Sequence, residues 1–290
     1  TNCRKKVCSE AMMLYMDAQT QVKVRIGVVN FFNATPLIEG ISTIEGVELV
    51  PKVPSELVGC LERDEVDIAL ASSIDYQRCD ITLGIIPVGV LSSDGESLTV
   101  KLCSRIPFEK ITEVHCDSDS HTSVALLQII MKEVFGIEPK LVDSDIRSLC
   151  TCNSEWPETV LIIGDKVITS GCETEYEYSL DLGKAWKEQY SLPFVFATWF
   201  AREDVACSTL EFASVILTRQ LACNAQRIEQ VVSSNASGRG WPTELALDYV
   251  TKHMYYKCTP SHIESLQLFY ELSKKHGILN EIQPIRLLTI

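Results

Sequence analysis

The sequence predicts an α/β protein of two lobes, with a ligand cleft between them and a helical C-terminal segment. Three observations predict it. Strand and helix signals alternate twice along the chain, a break at Ser104-Arg105-Ile106-Pro107 separates the two alternations, and after Pro193 one strand-like run leads into long helical segments. A length of 290 residues allows two cores at roughly 150 residues each. The expected division is an N-terminal tail over 1–21, lobe 1 from 22–104 plus 194–290, and lobe 2 over 105–193.

Val24 to Val29 is a β-branched run ending in the polar loop Asn30 to Thr35, after which Pro36 suits the first turn of a helix. Val47 to Val50 reads as a second strand, and Pro54-Ser55-Glu56-Leu57 opens a short helix. Asp67 to Ala71 is a third strand. This β-α-β-α-β order is the pattern of a parallel sheet covered by helices. Extended runs follow at Gly84 to Val90 and Leu98 to Cys103. The second alternation begins with Thr112 to Cys116 and continues into a helix whose apolar positions Val124, Leu127, Met131 and Val134 recur at helical spacing until Gly136. Ile146 to Trp156 reads as loop, and Val160 to Ile163 as a strand. Phe194 to Phe200 is strand-like; Val205 to Val232 and Thr243 to His276 are mostly helical, interrupted at Gly238-Arg239-Gly240-Trp241-Pro242.

Composition removes several function classes. Lys and Arg number 26 against 39 Asp and Glu, a net charge of −13, and no basic run offsets it, so nucleic acid is a poor partner. The densest apolar stretch, Phe194 to Ala201, falls far short of the roughly 18 residues a membrane span needs. Of the 12 cysteines, Cys60, Cys79, Cys103, Cys116, Cys207 and Cys223 stand alone among apolar neighbours, as buried thiols do; the close pair Cys150 and Cys152 lacks the second pair a zinc site requires. Reduced thiols and a cytoplasmic setting are expected, with no metal. Residues 1–21 read as an added tail rather than an export signal, and nothing in the sequence signals an oligomeric state.

The most informative polar segment is Asp117 to Ser123, a hydroxyl-rich turn feeding a helix. Such a start presents free N–H groups and the positive end of the helix dipole, to which Ser118, Ser120, Thr122 and Ser123 add hydroxyls, an arrangement that suits an anion as well as plain N-capping. Asn30, Asn33, Ser72, Ser73 and Thr99 form a second polar set at strand ends facing the cleft. No G-x-S-x-G elbow, phosphate-binding glycine loop, dinucleotide fingerprint or H-E-x-x-H motif is present, so no cofactor is implied. The histidines do not cluster; only His121 lies near a candidate site.

Several runs together resemble the chorismate dehydratases of the futalosine route to menaquinone, proteins of type II periplasmic-binding-protein-like fold. They are Arg25-Ile26-Gly27-Val28-Val29-Asn30-Phe31-Phe32-Asn33 with Pro36-Leu37, Val53 to Leu57, Asp67 to Leu70 with Ile74-Asp75-Tyr76, and Asp117-Ser118 with Ser120 and Thr122-Ser123. Leu161 to Asp165, Asp181-Leu182-Gly183 with Trp186, and Leu192 to Ala197 with Trp199 continue the series, which spans roughly Val22 to Leu288. Each run is weakly specific; their order and spacing are the signal.

The resemblance implies a lyase that removes water from chorismate to give 3-[(1-carboxyvinyl)oxy]benzoate without a cofactor. It places the family's active-site asparagine at Asn33 and its cleft-facing serine at Thr99, and brings His121, Gly164, Asp165 and Phe196 into the substrate-binding set with Asn30, Ser72, Ser73, Ser118, Ser120, Thr122 and Ser123. Three positions depart from the pattern. Thr99 replaces Ser, keeping the hydroxyl but adding a methyl that narrows the pocket; Ser72 stands where Pro is usual and His121 where Arg is common. Asp75, Glu96, Asp117 and His121 are the ionisable candidates near the expected cleft, and none matches a known catalytic role. The substrate's own enolpyruvyl carboxylate is therefore the expected proton acceptor. Two other readings use the same architecture: a binding protein for small carboxylates, and a sister lyase or drifted paralogue of the same route, which the Asn30 to Pro36 motif fits less well.

Overall fold

The structure, a computed structural model, describes residues 23–151 and 155–288; the expected tail and Cys152 lie outside the described residues. Eleven strands form among them. These are β1 (Val24–Val29), β2 (Val47–Lys52), β3 (Ile68–Ser72), β4 (Leu83–Ser93), β5 (Val100–Ser104), β6 (Glu113–Asp117), β7 (Lys140–Ser144), β8 (Thr159–Ile163), β9 (Tyr178–Asp181), β10 (Phe194–Arg202) and β11 (Met254–Tyr255). They build a first sheet in the order β11-β4-β10-β3-β1-β2 and a second in the order β7-β6-β8-β5-β9.

The first sheet is mixed rather than parallel. β1 runs parallel to β2 and β3, as strands joined by helical crossovers do, but β10 is antiparallel to both β3 and β4. β10 arrives from the second sheet by way of the helix Leu182–Tyr190 and not by a crossover within its own sheet, so nothing obliges it to run with its neighbours. β3 is buried along its whole length, and β1 is buried except at Arg25. Their β-branched and small residues therefore form the centre of this lobe.

The crossing between sheets comes earlier than the expected boundary at 104/105. Val100–Ser104 pairs with β8 and β9 in the second sheet, so the chain crosses within residues 94–99. The Asp181 carboxylate fixes this crossing: it accepts the N–H of Ser97 at 2.9 Å and of Leu98 at 2.8 Å, with the Ser97 hydroxyl at 3.0 Å, while capping the following helix through the N–H of Lys184 at 3.0 Å. Leu98 is thereby held at φ 63°, a left-handed conformation unfavourable to a branched side chain.

The helix His121–Phe135 starts at Ser120, whose hydroxyl accepts from the Ser123 N–H, and stops at Gly136 with φ 69°. It packs against Leu182–Tyr190 from its own lobe and against β10 and Pro260–Lys275 from the other. Its burial is consequently wider than one stripe and includes Leu126, Ile129 and Ile130, whereas Val134, expected inside, is 45% exposed. A short helix, Ile146–Thr151, occupies part of the stretch expected as loop.

The C-terminal region consists of helices Cys207–Gln226, Ile228–Asn235, Thr243–Asp248 and Pro260–Lys275. Between the last two lie a π-helical turn, Tyr249–His253, and β11, which pairs with Ser92 and Ser93. Pro260 requires an extended Thr259, and Thr259 with His262 forms a reciprocal cap, which is why the helical run restarts there. The nine cysteines among the described residues are free. Cys207 and Cys223, expected inside, are exposed, because Cys207–Gln226 buries a face containing Ala213, Ile216 and Leu217.

Replacing Asp181 by Ala removes a helix cap and leaves buried N–H groups without an acceptor. The expected cost is about 2–4 kcal/mol, read as a lower urea midpoint with an unchanged m-value.

Candidate functional site

A cavity of about 40 Å³ lies between the two sheets. That is room for about three waters. Asn33, Ser72, Thr99, Ser120, Ser123, Gly164 and Phe196 line it, together with Phe31, Pro54, Leu91 and Met254. Asn33 stands in the turn after β1, Ser72 at the end of β3, and Thr99 at the end of the crossing held by Asp181. Ser120 and Ser123 begin a 15-residue helix, and their hydroxyls lie 3.1 Å apart. Gly164 follows β8 with φ 67°; its N–H donates to the Thr99 carbonyl at 2.9 Å, and a Cβ there would sit 3.2 Å from the Phe31 ring. Only glycine meets both demands.

Two polar atoms in this lining are buried without a hydrogen-bond partner among the described residues: Asn33 Oδ1 and Ser72 Oγ. A buried polar atom left unpaired costs about 1–3 kcal/mol, so each is poised for a group supplied from outside the chain. Among the described residues, no side chain lining the cavity is ionisable. The ionisable residues expected nearby have other partners. Asp75 pairs with His121 at 2.8 Å, Asp117 with Lys166 at 2.6 Å, and Glu96 lies 3.9 Å from His253, 47% exposed.

The remaining expected residues lie around the cavity rather than on it. Asn30 and Asp165 face an outer cavity of about 480 Å³, with Phe31 as the wall between the two, and Ser118 lines a separate pocket beside Asp143 and Arg147. Ser73 ties β3 to β10, its hydroxyl donating to the Val195 carbonyl at 2.7 Å. Thr122 and His121 join the lobes, Thr122 accepting the Ile74 N–H at 3.1 Å and His121 pairing with Asp75.

Asp165 makes the most extensive of these bridges. From the second lobe its carboxylate accepts the Phe32 N–H at 3.1 Å and the Trp241 indole N–H at 3.0 Å, both from the first. Burial pushes its carboxyl above the ordinary value of 3.8, against the pull of those donors. Trp241 in turn stacks on Phe32 at 5.1 Å and on Tyr249 at 4.9 Å, and the Tyr249 hydroxyl lies 2.7 Å from Thr99 Oγ1. Tyr249 and Met254 carried no site signal in the sequence, since they sit in a stretch expected to be plain helix.

One further pair has the elements of nucleophilic catalysis but the wrong polarity. His262 Nε2 lies 2.9 Å from Ser92 Oγ. His262 Nδ1 accepts the Thr259 N–H, so Nε2 carries the proton and donates it to Ser92, whose own hydroxyl donates to the Tyr255 carbonyl. This imidazole cannot serve as a base toward Ser92. Among the described residues no group of three or more His, Cys, Asp or Glu could hold a metal ion, and no helix is long and apolar enough to cross a membrane.

A family profile described as menaquinone biosynthesis matches residues 24–275. The chorismate dehydratase of Thermus thermophilus is 26% identical over 264 residues, which is 85% of this chain and 93% of that protein. Among solved structures, a protein from Archaeoglobus fulgidus superposes with a TM-score of 0.73 at 17% identity, over 90% of this chain and 100% of that one. The alkanesulfonate-binding protein of Xanthomonas axonopodis, bound to MOPS, gives 0.66 at 12% identity, over 92% and 96%. The periplasmic aliphatic sulphonate-binding protein of Escherichia coli gives 0.62 at 14%, over 90% and 94%. These structural likenesses show the fold, that of periplasmic binding proteins.

The half-buried Asp165 sets a pH dependence. Its carboxyl is raised in the folded state, so its contribution to stability is full below pH 3.8 and is lost as pH rises through the raised value. Asp165→Asn keeps an oxygen acceptor and removes the titration. The stability of the native protein relative to the variant should therefore fall with rising pH across that window. Thermal melts from pH 3 upward check this, and a pH-independent difference would contradict it.

Proposed function

The chain belongs to the menaquinone biosynthesis family, and from that footing we propose that it is a chorismate dehydratase, converting chorismate to 3-[(1-carboxyvinyl)oxy]benzoate and water. The likeness to the Thermus thermophilus enzyme supports this reading along most of the chain. The single observation that carries it is the chemistry of the cavity wall: hydroxyl and amide groups at the sheet ends, two of them unpartnered, and no ionisable side chain.

Dehydration breaks a ring C–H bond and a C–O bond, and the electrons left behind complete the aromatic ring. The protein must bind a dianion, hold it in one conformation and keep water away. The start of helix His121–Phe135 offers N–H groups and hydroxyls to one carboxylate. Asn33 and Thr99 orient the remainder. With no base in the wall, the substrate's enolpyruvyl carboxylate takes the ring proton and delivers it to the departing hydroxyl, so that water leaves. Alignment of an intramolecular base is worth several orders of magnitude when the geometry is held. A molecule of chorismate's size exceeds a space for three waters, so the lobes separate to admit it and close upon it, as in hinged binding proteins. We place the reaction in the cytoplasm, where the free thiols stay reduced.

Purified protein given chorismate and no additive should release the aromatic product, followed by liquid chromatography with ultraviolet detection. Chorismate left intact would overturn the proposal. Asn33→Ala should lower kcat on the order of 10²-fold while KM changes by no more than about threefold. An equal loss in binding and turnover would count against the orienting role.

A further inference from the structure

We propose that Tyr249 is a positioning residue for this reaction, its phenol holding the Thr99 hydroxyl in one place at the cavity wall. The inference rests on the dehydratase reading of the same site.

Thr99 Oγ1 has two neighbours within the protein. The Ser97 carbonyl lies 3.5 Å away, too far for more than a weak bond, whereas the Tyr249 hydroxyl lies 2.7 Å away. Tyr249 is itself immobilised. Its ring is 1% exposed and lies nearly parallel to that of Trp241, with an interplanar angle of 15°. Trp241 is fixed by its bond to Asp165, and the backbone carrying Tyr249 turns as a π-helix, a local widening common at functional sites.

The pair is short enough to hold the threonine hydroxyl whichever oxygen donates. Thr99 lines the cavity, so fixing its hydroxyl fixes one polar group of the wall. Burial raises the phenol pKa, so the Tyr249 hydroxyl stays protonated throughout the working pH range.

The test is a cycle on the full-length protein with chorismate, comparing the native chain, Tyr249→Phe, Thr99→Val and the double variant. Tyr249→Phe should lower kcat about tenfold or more with KM within about threefold, and should add less than about twofold once Thr99 is Val. Unchanged kcat in Tyr249→Phe, or the same loss in both backgrounds, overturns the inference; the second result is that of a general packing role. If Tyr249→Phe melts early, Thr99→Ser decides with Tyr249 in place. A serine hydroxyl rotates more freely than that of threonine, yet the phenol should still capture it and recover about tenfold over Thr99→Val; recovery below twofold overturns the inference. No turnover by the native chain sinks the dehydratase reading and this one together, whereas turnover with an indifferent Tyr249 sinks this one alone.

Discussion

One half-buried carboxylate holds the site together. Asp165 stands at the end of β8 in the second lobe, and its acceptors are filled by backbone and indole N–H groups of the first. Through Phe32 it fixes the turn carrying Asn33, and through Trp241 it fixes the aromatic stack ending at Tyr249. Asn33 and Tyr249 are therefore located by a residue that does not itself line the inner cavity. Asp181 does comparable work on the backbone side, gripping the crossing segment so that Thr99 emerges from a strained turn in one orientation. Both carboxylates act by accepting hydrogen bonds, and burial raises the pKa of each.

Much of the fold was legible because local signals and tertiary demands agree. Val24–Val29 is β-branched and central; Ser120 and Gly136 bracket a helix with a cap at one end and a left-handed stop at the other. Edge strands carry weaker signals. β7 and β9 lie at the edges of the second sheet, and their partly exposed faces include Lys140, Asp143 and Ser179, so they lack an apolar signature. The crossing point was invisible for another reason. Val100–Ser104 pairs with β8 and β9, and the Asp181 that grips the crossing segment lies more than 80 residues along the chain.

The site was legible at the ends of strands and at the helix start. Hydroxyls and amides at those places have few uses beyond capping and ligand contact, and Asn33, Ser72, Thr99, Ser120 and Ser123 do reach one cavity. Their neighbours differ in consequence of geometry alone. Ser73 points one step away from Ser72 and is consumed by β10, while Thr122 and His121 turn toward the opposite lobe. Tyr249 could not be found from its local sequence. Its importance arises from a buried contact across 150 positions, and a tyrosine within a helical pattern gives no hint of one.

The smallness of the inner cavity has an energetic corollary for any occupant. Opening to admit a guest would break the contacts of Asp165, Thr122 and His121 across the cleft, and closing upon it would remake them, so their strength would govern how fast a guest enters and leaves more than how tightly it is held. A compound that wedged the lobes apart would leave those bonds unmade and bear their full cost.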